Sequence, residues 1–202
     1  MVWTGEPLIL ASSSRTRRTL LDDAGLEFEI EPARIDEGAI KCRFAADGRS
    51  ASDCAFALAE AKARRVAAHH PHGLIIGADQ ILVCDGAWFD KPASLADARN
   101  QLQKLRGRTH RLVTAACVVE GQACTWRGIA SARLTMREFS DAFLDLYLEA
   151  EGTSVLGSVG AYRLEGRGVQ LLTRVEGDHF AILGLPLLEL LSFLRERGAL
   201  PS

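Results

Sequence analysis

The chain has 202 residues, of which 48% are hydrophobic, and its 24 lysines and arginines nearly balance 26 aspartates and glutamates. That hydrophobic fraction is enough for a folded core and argues against global disorder. The formal net charge of -2 argues against a basic surface for DNA or RNA. A phosphate ligand would therefore need a local arrangement of cations and backbone donors.

The sequence gives no sign of export or membrane insertion. No apolar run reaches the roughly 18 residues of a membrane span, and residues 1–10 lack the pattern of a secretory signal. The five cysteines are odd in number and widely spread, without a C-x-x-C pair, which argues against a disulfide framework or a zinc ribbon. We therefore expect reduced thiols, a cytoplasmic location, and neither a membrane nor a nucleic acid as partner.

Strand-like and helix-like segments alternate in the first half of the chain. Gly25 ends the first predicted helix, and the polar, irregular residues 35–49 predict a loop. The buried run 74–76 ends in Gly77-Ala78-Asp79, and residues 81–84 could extend it. Predicted strands cover residues 7–11, 28–30 and 74–76, and predicted helices cover residues 15–24 and 52–68.

The second half predicts a hairpin among helices. Ser94 begins a helix with Asp97 as a capping-box partner, and Pro186 suits the first turn of the last helix. The predicted helices run from Ser94 to Gly107, from Ser140 to Gly152 and from Pro186 to about residue 197. The predicted strands cover residues 111–119, 123–135 and 161–175. We infer an α/β fold, a mixed sheet flanked by helices, in a single domain over residues 1–202.

The segment after the first strand has the composition of an anion site. Hydroxyls of Ser12 and Ser14 would lie at a helix N-terminus, where free N–H groups and the helix dipole favour phosphate. Arg17 can place its planar guanidinium on phosphate oxygens. The alternative is ordinary helix capping by the serines, with the arginines on a solvated face.

Asp79 lies at the end of an apolar strand, and Lys91 follows after a short loop. Such an aspartate could hold a divalent cation or accept a proton from an attacking water, and the lysine could neutralise phosphate charge. The alternative is an aspartate that bonds to a turn, with an exposed lysine.

Two further acidic positions could serve a ligand. Asp36-Glu37, with Lys62 nearby in the helix that follows, could supply metal ligands, or could simply be solvated. Glu165, in a glycine-flanked segment, could accept hydrogen bonds from N1–H and the 2-amino group of guanine, or could lie on the exposed face of a strand. His69, His70 and His72 fit an exposed turn better than a metal site, and a Ser–His nucleophile with His110 lacks its G-x-S-x-G turn.

Taken in order, these segments resemble the Maf family of nucleotide pyrophosphatases, and the resemblance spans nearly the whole chain. The matching motifs are L-A-S-x-S-x-x-R at residues 10–17, Asp36-Glu37, L-A-x-A-K-A at 58–63, G-A-D-Q at 77–80, Lys91-Pro92, L-x-G-R-x-H-x-x-x-T at 105–114, G-A-Y-x-x-E-G at 160–166, E-G-D at 176–178 and G-L-P at 184–186. The sequence departs from the family pattern at Arg15 and Thr16, where Pro-Arg is usual, and at Arg106, where serine is usual.

The resemblance implies two lobes around a central cleft, often in a homodimer. It also implies hydrolysis of a nucleoside triphosphate to a monophosphate and pyrophosphate with a divalent cation, Mg²⁺ or Mn²⁺. The implied catalytic residues are Asp79, the proton acceptor, with Lys62 and Lys91. The implied substrate-binding residues are Ser12, Ser14, Arg17 and Glu165, and the implied metal ligands are Asp79 and Glu37.

Glu165, where many members have glutamine, and Gln80 after the aspartate resemble the subgroup that acts on 7-methylguanosine triphosphate. A carboxylate also complements the positive charge of a methylated guanine. The competing hypothesis is a non-catalytic regulator that binds nucleotide or a division protein, since the family is linked to septum formation. Such a regulator would need Arg17 and the lysines but not Asp79.

Overall fold

The computed structural model describes residues 7–201, so the first six residues of the segment tested for a secretory signal lie outside the described part. The strands are β1 (Leu8–Leu10), β2 (Glu29–Ile30), β3 (Leu74–Cys84), β4 (Ala87–Phe89), β5 (Thr109–Glu120), β6 (Ala123–Met136) and β7 (Leu172–Glu176). The helices are α1 (Arg15–Asp23), α2 (Glu37–Ala46), α3 (Ala51–Ala67), α4 (Leu95–Leu105), α5 (Asp141–Glu151), α6 (His179–Ile182) and α7 (Leu187–Glu196).

The mixed sheet predicted from sequence is confirmed. Its strand order is β2-β1-β3-β5-β6-β7, and β4 pairs with β3. β1 runs parallel to both β2 and β3, whereas β4 is antiparallel to β3 and β7 is antiparallel to β6. The sheet is therefore open and combines parallel and antiparallel pairs.

Helix boundaries follow the capping residues. Ser94 accepts a hydrogen bond from the Asp97 amide at 3.1 Å, and Ser140 accepts one from the Phe143 amide at 3.1 Å. These bonds satisfy N–H groups that have no partner within the helix. The predicted starts of α4 and α5 are confirmed for this reason.

The described chain divides into two compact units. The first unit comprises residues 7–79, 114–130 and 179–201, and the second comprises residues 80–113 and 131–178. The first unit has an apolar core in which β1 and β3 pack with α1 and α7, including Leu10, Leu21, Ile76 and Leu190. Among residues 7–201, no helix is both long and apolar enough to cross a membrane.

The prediction of a loop over residues 35–49 is wrong, because α2 occupies most of it. Phe44 is the only buried residue of α2, so this helix lacks the apolar stripe by which helices are recognised in a sequence. Its start is set instead by Asp36, whose Oδ1 accepts a hydrogen bond from the Ala39 amide at 2.9 Å.

The prediction of a strand over residues 161–175 is mostly wrong. Three 3-10 turns, Gly152–Gly157, Val159–Ala161 and Arg167–Leu171, precede the short strand β7. Gly160 has φ +78° and Ala161 has φ +60°, values outside the β region that regular strands adopt. Strand β4 was not predicted from the sequence, because it is only three residues long.

Candidate active site

Six predicted site residues belong to the first unit, where one turn, three helices and one strand supply them. The turn after β1 supplies Ser12 and Ser14, and α1 supplies Arg17. The start of α2 supplies Glu37, the middle of α3 supplies Lys62 and the middle of β3 supplies Asp79. The prediction that Asp79 ends its strand is wrong, because β3 continues to Cys84.

The serine-rich turn caps α1 and also holds the Arg17 side chain. Ser14 Oγ accepts a hydrogen bond from the Arg17 amide at 3.3 Å, so capping by Ser14 is observed. Ser12 Oγ accepts from the Ser14 amide at 3.2 Å and from Arg17 Nη1 at 3.2 Å. The turn is therefore fixed by its own hydroxyls.

Arg17 does not lie on a solvated face, because only 8% of the residue is exposed. Its Nε donates to the Gly184 carbonyl oxygen at 2.8 Å. Burial lowers the pKa of Arg17, and the negative charges of Asp79 and Glu37 act in the opposite direction. A guanidinium remains protonated in proteins, so Arg17 places a fixed positive charge near two carboxylates.

Gly184 makes room for this guanidinium. It has φ +109°, and a Cβ built on it would lie 3.1 Å from Arg17 Nε. The G-L-P motif at residues 184–186 therefore also anchors the side chain of Arg17.

Lys62 joins the two carboxylates of the site. Its Nζ lies 2.5 Å from Asp79 Oδ1 and 2.8 Å from Glu37 Oε1. The Lys62 and Asp79 side chains are 10% and 7% exposed, whereas that of Glu37 is 45% exposed. Glu37 is therefore not simply solvated, because its carboxylate contacts Lys62. Asp36, the other acidic residue of the predicted pair, caps the start of α2.

Gly77 explains why Lys62 and Asp79 can meet. A Cβ at Gly77 would lie 2.1 Å from the Ala59 carbonyl oxygen and 2.8 Å from Ala63 Cβ. Glycine in a strand often marks such a close approach of another backbone. Because β3 carries Asp79 and α3 carries Lys62, this contact fixes the distance between them.

The arrangement as a whole is a buried ion pair beside a buried guanidinium at the N-terminal end of a helix. Comparison with known proteins identifies the family of the chain. A family model described as Maf-like protein matches residues 7–197. The chain belongs to the Maf family.

Curated Maf relatives align with nearly the whole chain. A nucleoside triphosphate pyrophosphatase from Paramagnetospirillum magneticum is 52% identical over 95% of this chain and 99% of its own length. One from Granulibacter bethesdensis is 50% identical over 96% of this chain and 98% of its own length. A 7-methyl-GTP pyrophosphatase from Rhizobium meliloti is 48% identical over 96% of this chain and 98% of its own length.

The carboxylates of this Maf protein suit a hard divalent cation in their donor chemistry. Among residues 7–201, no group of three or more His, Cys, Asp or Glu side chains forms a metal cluster. Asp79 and Glu37 nevertheless point oxygens at one positively charged atom, Lys62 Nζ. Proteins commonly hold Mg²⁺ by one or two carboxylates, so Asp79 and Glu37 are the residues that could hold such a cation.

Lys91 and Glu165, the other two predicted site residues, belong to the second unit. Lys91 lines a groove in that unit with Asn100, Gln101 and Lys104. Glu165 is exposed, as its alternative interpretation required, but it lies in a turn and not on a strand.

The histidines and Arg106 have other roles. His69 and His70 hydrogen-bond to the Glu31 carboxylate at 3.1 and 2.7 Å, and His69 is exposed. His110 is buried in the second unit, where Nε2 lies 2.6 Å from the Tyr162 hydroxyl, and burial lowers its pKa to about 4. Arg106, where the family usually has serine, pairs with Asp141 at 2.5 Å.

Sequence reasoning missed the supporting role of two glycines, Gly77 and Gly184. Both lie inside motifs that the sequence analysis quoted, but a glycine in a motif does not reveal which atom approaches it. That information depends on contacts between segments more than 15 residues apart, Ala59 with Gly77 and Arg17 with Gly184.

Proposed function

We propose that this chain hydrolyses nucleoside triphosphates to nucleoside monophosphates and pyrophosphate. The observation that carries the proposal is the buried Lys62–Asp79 pair, with its nitrogen and oxygen 2.5 Å apart, in electrostatic interaction range of the buried Arg17. The names of relatives that are about half identical to the chain point to the same reaction.

In the proposed mechanism, Asp79 accepts a proton from the attacking water. The water oxygen bonds to the α-phosphorus as the bond from that phosphorus to the α–β bridging oxygen breaks, and pyrophosphate leaves. Lys62 fixes the orientation of the Asp79 carboxylate. Arg17, held by Ser12 and Gly184, and Lys91 stabilise negative charge on the phosphoryl oxygens.

The metal belongs to the same proposal. Asp79 and Glu37 would hold a divalent cation, Mg²⁺ or Mn²⁺, which when bound neutralises phosphate charge. Ser12 and Ser14, with the N-terminal end of α1, would bind the phosphate side of the substrate.

For the base, we propose 7-methylguanine, recognised by Glu165. Two carboxylate oxygens can accept from N1–H and the 2-amino group of guanine, and the negative charge complements the methylated ring. The same carboxylate has no donor for O4 of uracil or thymine. A relative named 7-methyl-GTP pyrophosphatase, 48% identical to the chain, supports this choice.

The test is pyrophosphate release from a panel of standard and methylated triphosphates, with and without Mg²⁺ or Mn²⁺. Asp79→Asn removes the proton acceptor but keeps the shape, so we expect kcat to fall about 10²- to 10⁴-fold. Asp22→Asn, on the exposed end of α1, is the matched control and should retain the wild-type rate. Release of orthophosphate in place of pyrophosphate would show that a different bond is cleaved.

The regulator hypothesis makes the opposite prediction. If wild type and Asp79→Asn bind nucleotide equally and neither releases pyrophosphate, the chain is a binding protein. We further propose a cytoplasmic homodimer, as the family resemblance implies. Sedimentation of the purified chain at several concentrations tests the homodimer.

A further inference from the structure

The segment that carries Glu165 begins with a strained turn. We call residues 160–168 the Glu165 segment. Gly160 and Ala161 both have left-handed φ values, +78° and +60°, and Ala161 is fully buried. A left-handed non-glycine residue is strained and persists where its surroundings hold it, so other residues of the second unit must fix this turn.

Two buried hydroxyls hold the start of the Glu165 segment. The Tyr147 hydroxyl donates to the Ala161 carbonyl oxygen at 3.2 Å. The Tyr162 hydroxyl lies 2.6 Å from His110 Nε2. Ala161 in the turn is therefore tied to α5, and the residue after it is tied to β5.

A single carboxylate holds the rest of the segment. Glu151, the last residue of α5, has a side chain that is 4% exposed. Its Oε2 lies 3.4 Å from Arg163 Nη2, and its Oε1 lies 3.3 Å from Arg167 Nη1. Ser154 Oγ donates to Oε2 at 3.0 Å. The two arginines lie two residues before and two residues after Glu165, so Glu151 ties down both sides of that exposed residue.

Close packing of the backbone reinforces this arrangement. A Cβ at Gly168 would lie 2.4 Å from the Arg163 carbonyl oxygen, so the backbone at Gly168 lies close to that at Arg163. Residues 163–168 thus form a small closed loop with Glu165 near its tip and Glu151 at its base.

We propose that Glu151 is a positioning residue that sets base selectivity, because it fixes the Glu165 segment through Arg163 and Arg167. Glu151 lies outside the motifs quoted from the sequence. The proposal rests on the proposed function, because Glu165 is taken as the base-recognising group. Selectivity that depends on two directed hydrogen bonds requires the acceptor to be held to within a fraction of an ångström.

The first measurement is hydrogen–deuterium exchange of residues 160–168, which does not require catalysis. Glu151→Gln removes the charge and keeps the size, so we expect faster exchange in this segment than in wild type. Glu149→Gln, an exposed change on the same helix, is the matched control and should leave the exchange unchanged. Arg167→Ala removes one of the two contacts from a side chain that is 61% exposed, so it should fold and give a smaller increase.

The second measurement is the ratio of kcat/KM for 7-methyl-GTP to kcat/KM for UTP. We expect this ratio to fall about tenfold or more in Glu151→Gln, mainly through a higher KM for 7-methyl-GTP. Glu151→Asp, which retains the charge, should restore part of the ratio. If Glu151 has only a structural role, kcat/KM for 7-methyl-GTP and kcat/KM for UTP should fall by the same factor.

The outcomes separate the two proposals. Unchanged exchange in folded Glu151→Gln, or an unchanged substrate ratio, would overturn the role of Glu151. Faster exchange in that variant, together with a wild-type protein that releases no pyrophosphate from any triphosphate, would leave Glu151 as the anchor of the loop. That result would overturn the proposed function and with it the selectivity role.

Discussion

The Lys62–Asp79 pair is the residue-scale feature whose removal has the largest expected cost. Breaking a buried pair by removing one partner leaves an uncompensated charge and typically costs about 3–5 kcal/mol. We therefore expect Lys62→Met to lower the free energy of unfolding by about 3 kcal/mol, because the carboxylate of Asp79 is 7% exposed. Urea unfolding monitored by circular dichroism measures this change.

An exposed ion pair provides the control for Lys62→Met. Arg18 and Asp22 form an i,i+4 pair on α1 with side chains that are 61% and 50% exposed, and such pairs contribute about 0–1 kcal/mol. Arg18→Met should therefore have a small effect. If the two variants lower the free energy of unfolding by the same amount, the Lys62–Asp79 pair is not desolvated, and the argument from its burial is wrong.

At the scale of elements, helix α2 depends on its cap more than on its packing. It buries one residue, Phe44, and Asp36 satisfies the Ala39 amide at its start. Replacing such a cap by alanine costs about 1 kcal/mol. We expect Asp36→Ala to increase hydrogen exchange in α2 and also to weaken the contact of Glu37, its first residue, with Lys62.

The opposite end of α2 supplies the matched control. Asp47 is exposed and lies at the C-terminal end, where a negative charge interacts unfavourably with the helix dipole. Asp47→Ala should leave exchange in α2 unchanged or slower. Equal acceleration by both variants would show that α2 responds to any loss of charge, and the capping argument would be wrong.

These elements also show what a sequence can reveal. Segments with an apolar run and a polar cap, such as β1 and α4, were predictable because local forces determine them. Helix α2 was not predictable, because its only strong local signal is Asp36, and a lone aspartate is equally typical of a turn. The turn at Gly160–Ala161 was not predictable either, because hydrogen bonds to residues distant in the sequence, Tyr147 and His110, hold this part of the chain.

In the candidate site, too, some features follow from local sequence and others depend on contacts between distant segments. Ser12, Arg17 and Asp79 could be selected from the sequence, because each lies in a motif that follows an apolar run. That Lys62 meets Asp79, and that Arg17 is buried against Gly184, depends on the packing of α3 and α6–α7 in the first unit. Candidate site residues could thus be selected without the structure, but their contacts could not.

At the scale of the whole molecule, acid should destabilise the protein in two separate pH ranges. Burial lowers the pKa of His110 from 6.5 to about 4, so the unfolded chain binds a proton that the folded chain does not. Its contribution to stability is complete above about pH 6.5 and is lost as the pH falls toward 4. Hydrogen bonds from His70 and His69 lower the pKa of Glu31 from 4.5, so its contribution is lost at still lower pH.

The contribution of His110 to acid sensitivity can be isolated by mutation, because His110 and Glu31 affect stability in different pH ranges. The depressed pKa of His110 predicts a loss of about 2 kcal/mol in the free energy of unfolding between about pH 7.5 and pH 5. His110→Gln can still hydrogen-bond to Tyr162 but cannot be protonated, so its free energy of unfolding should change much less over that interval. Urea denaturation of both proteins at the two pH values measures the difference. A loss of the same size in both would mean that a group other than His110 is responsible for the acid sensitivity.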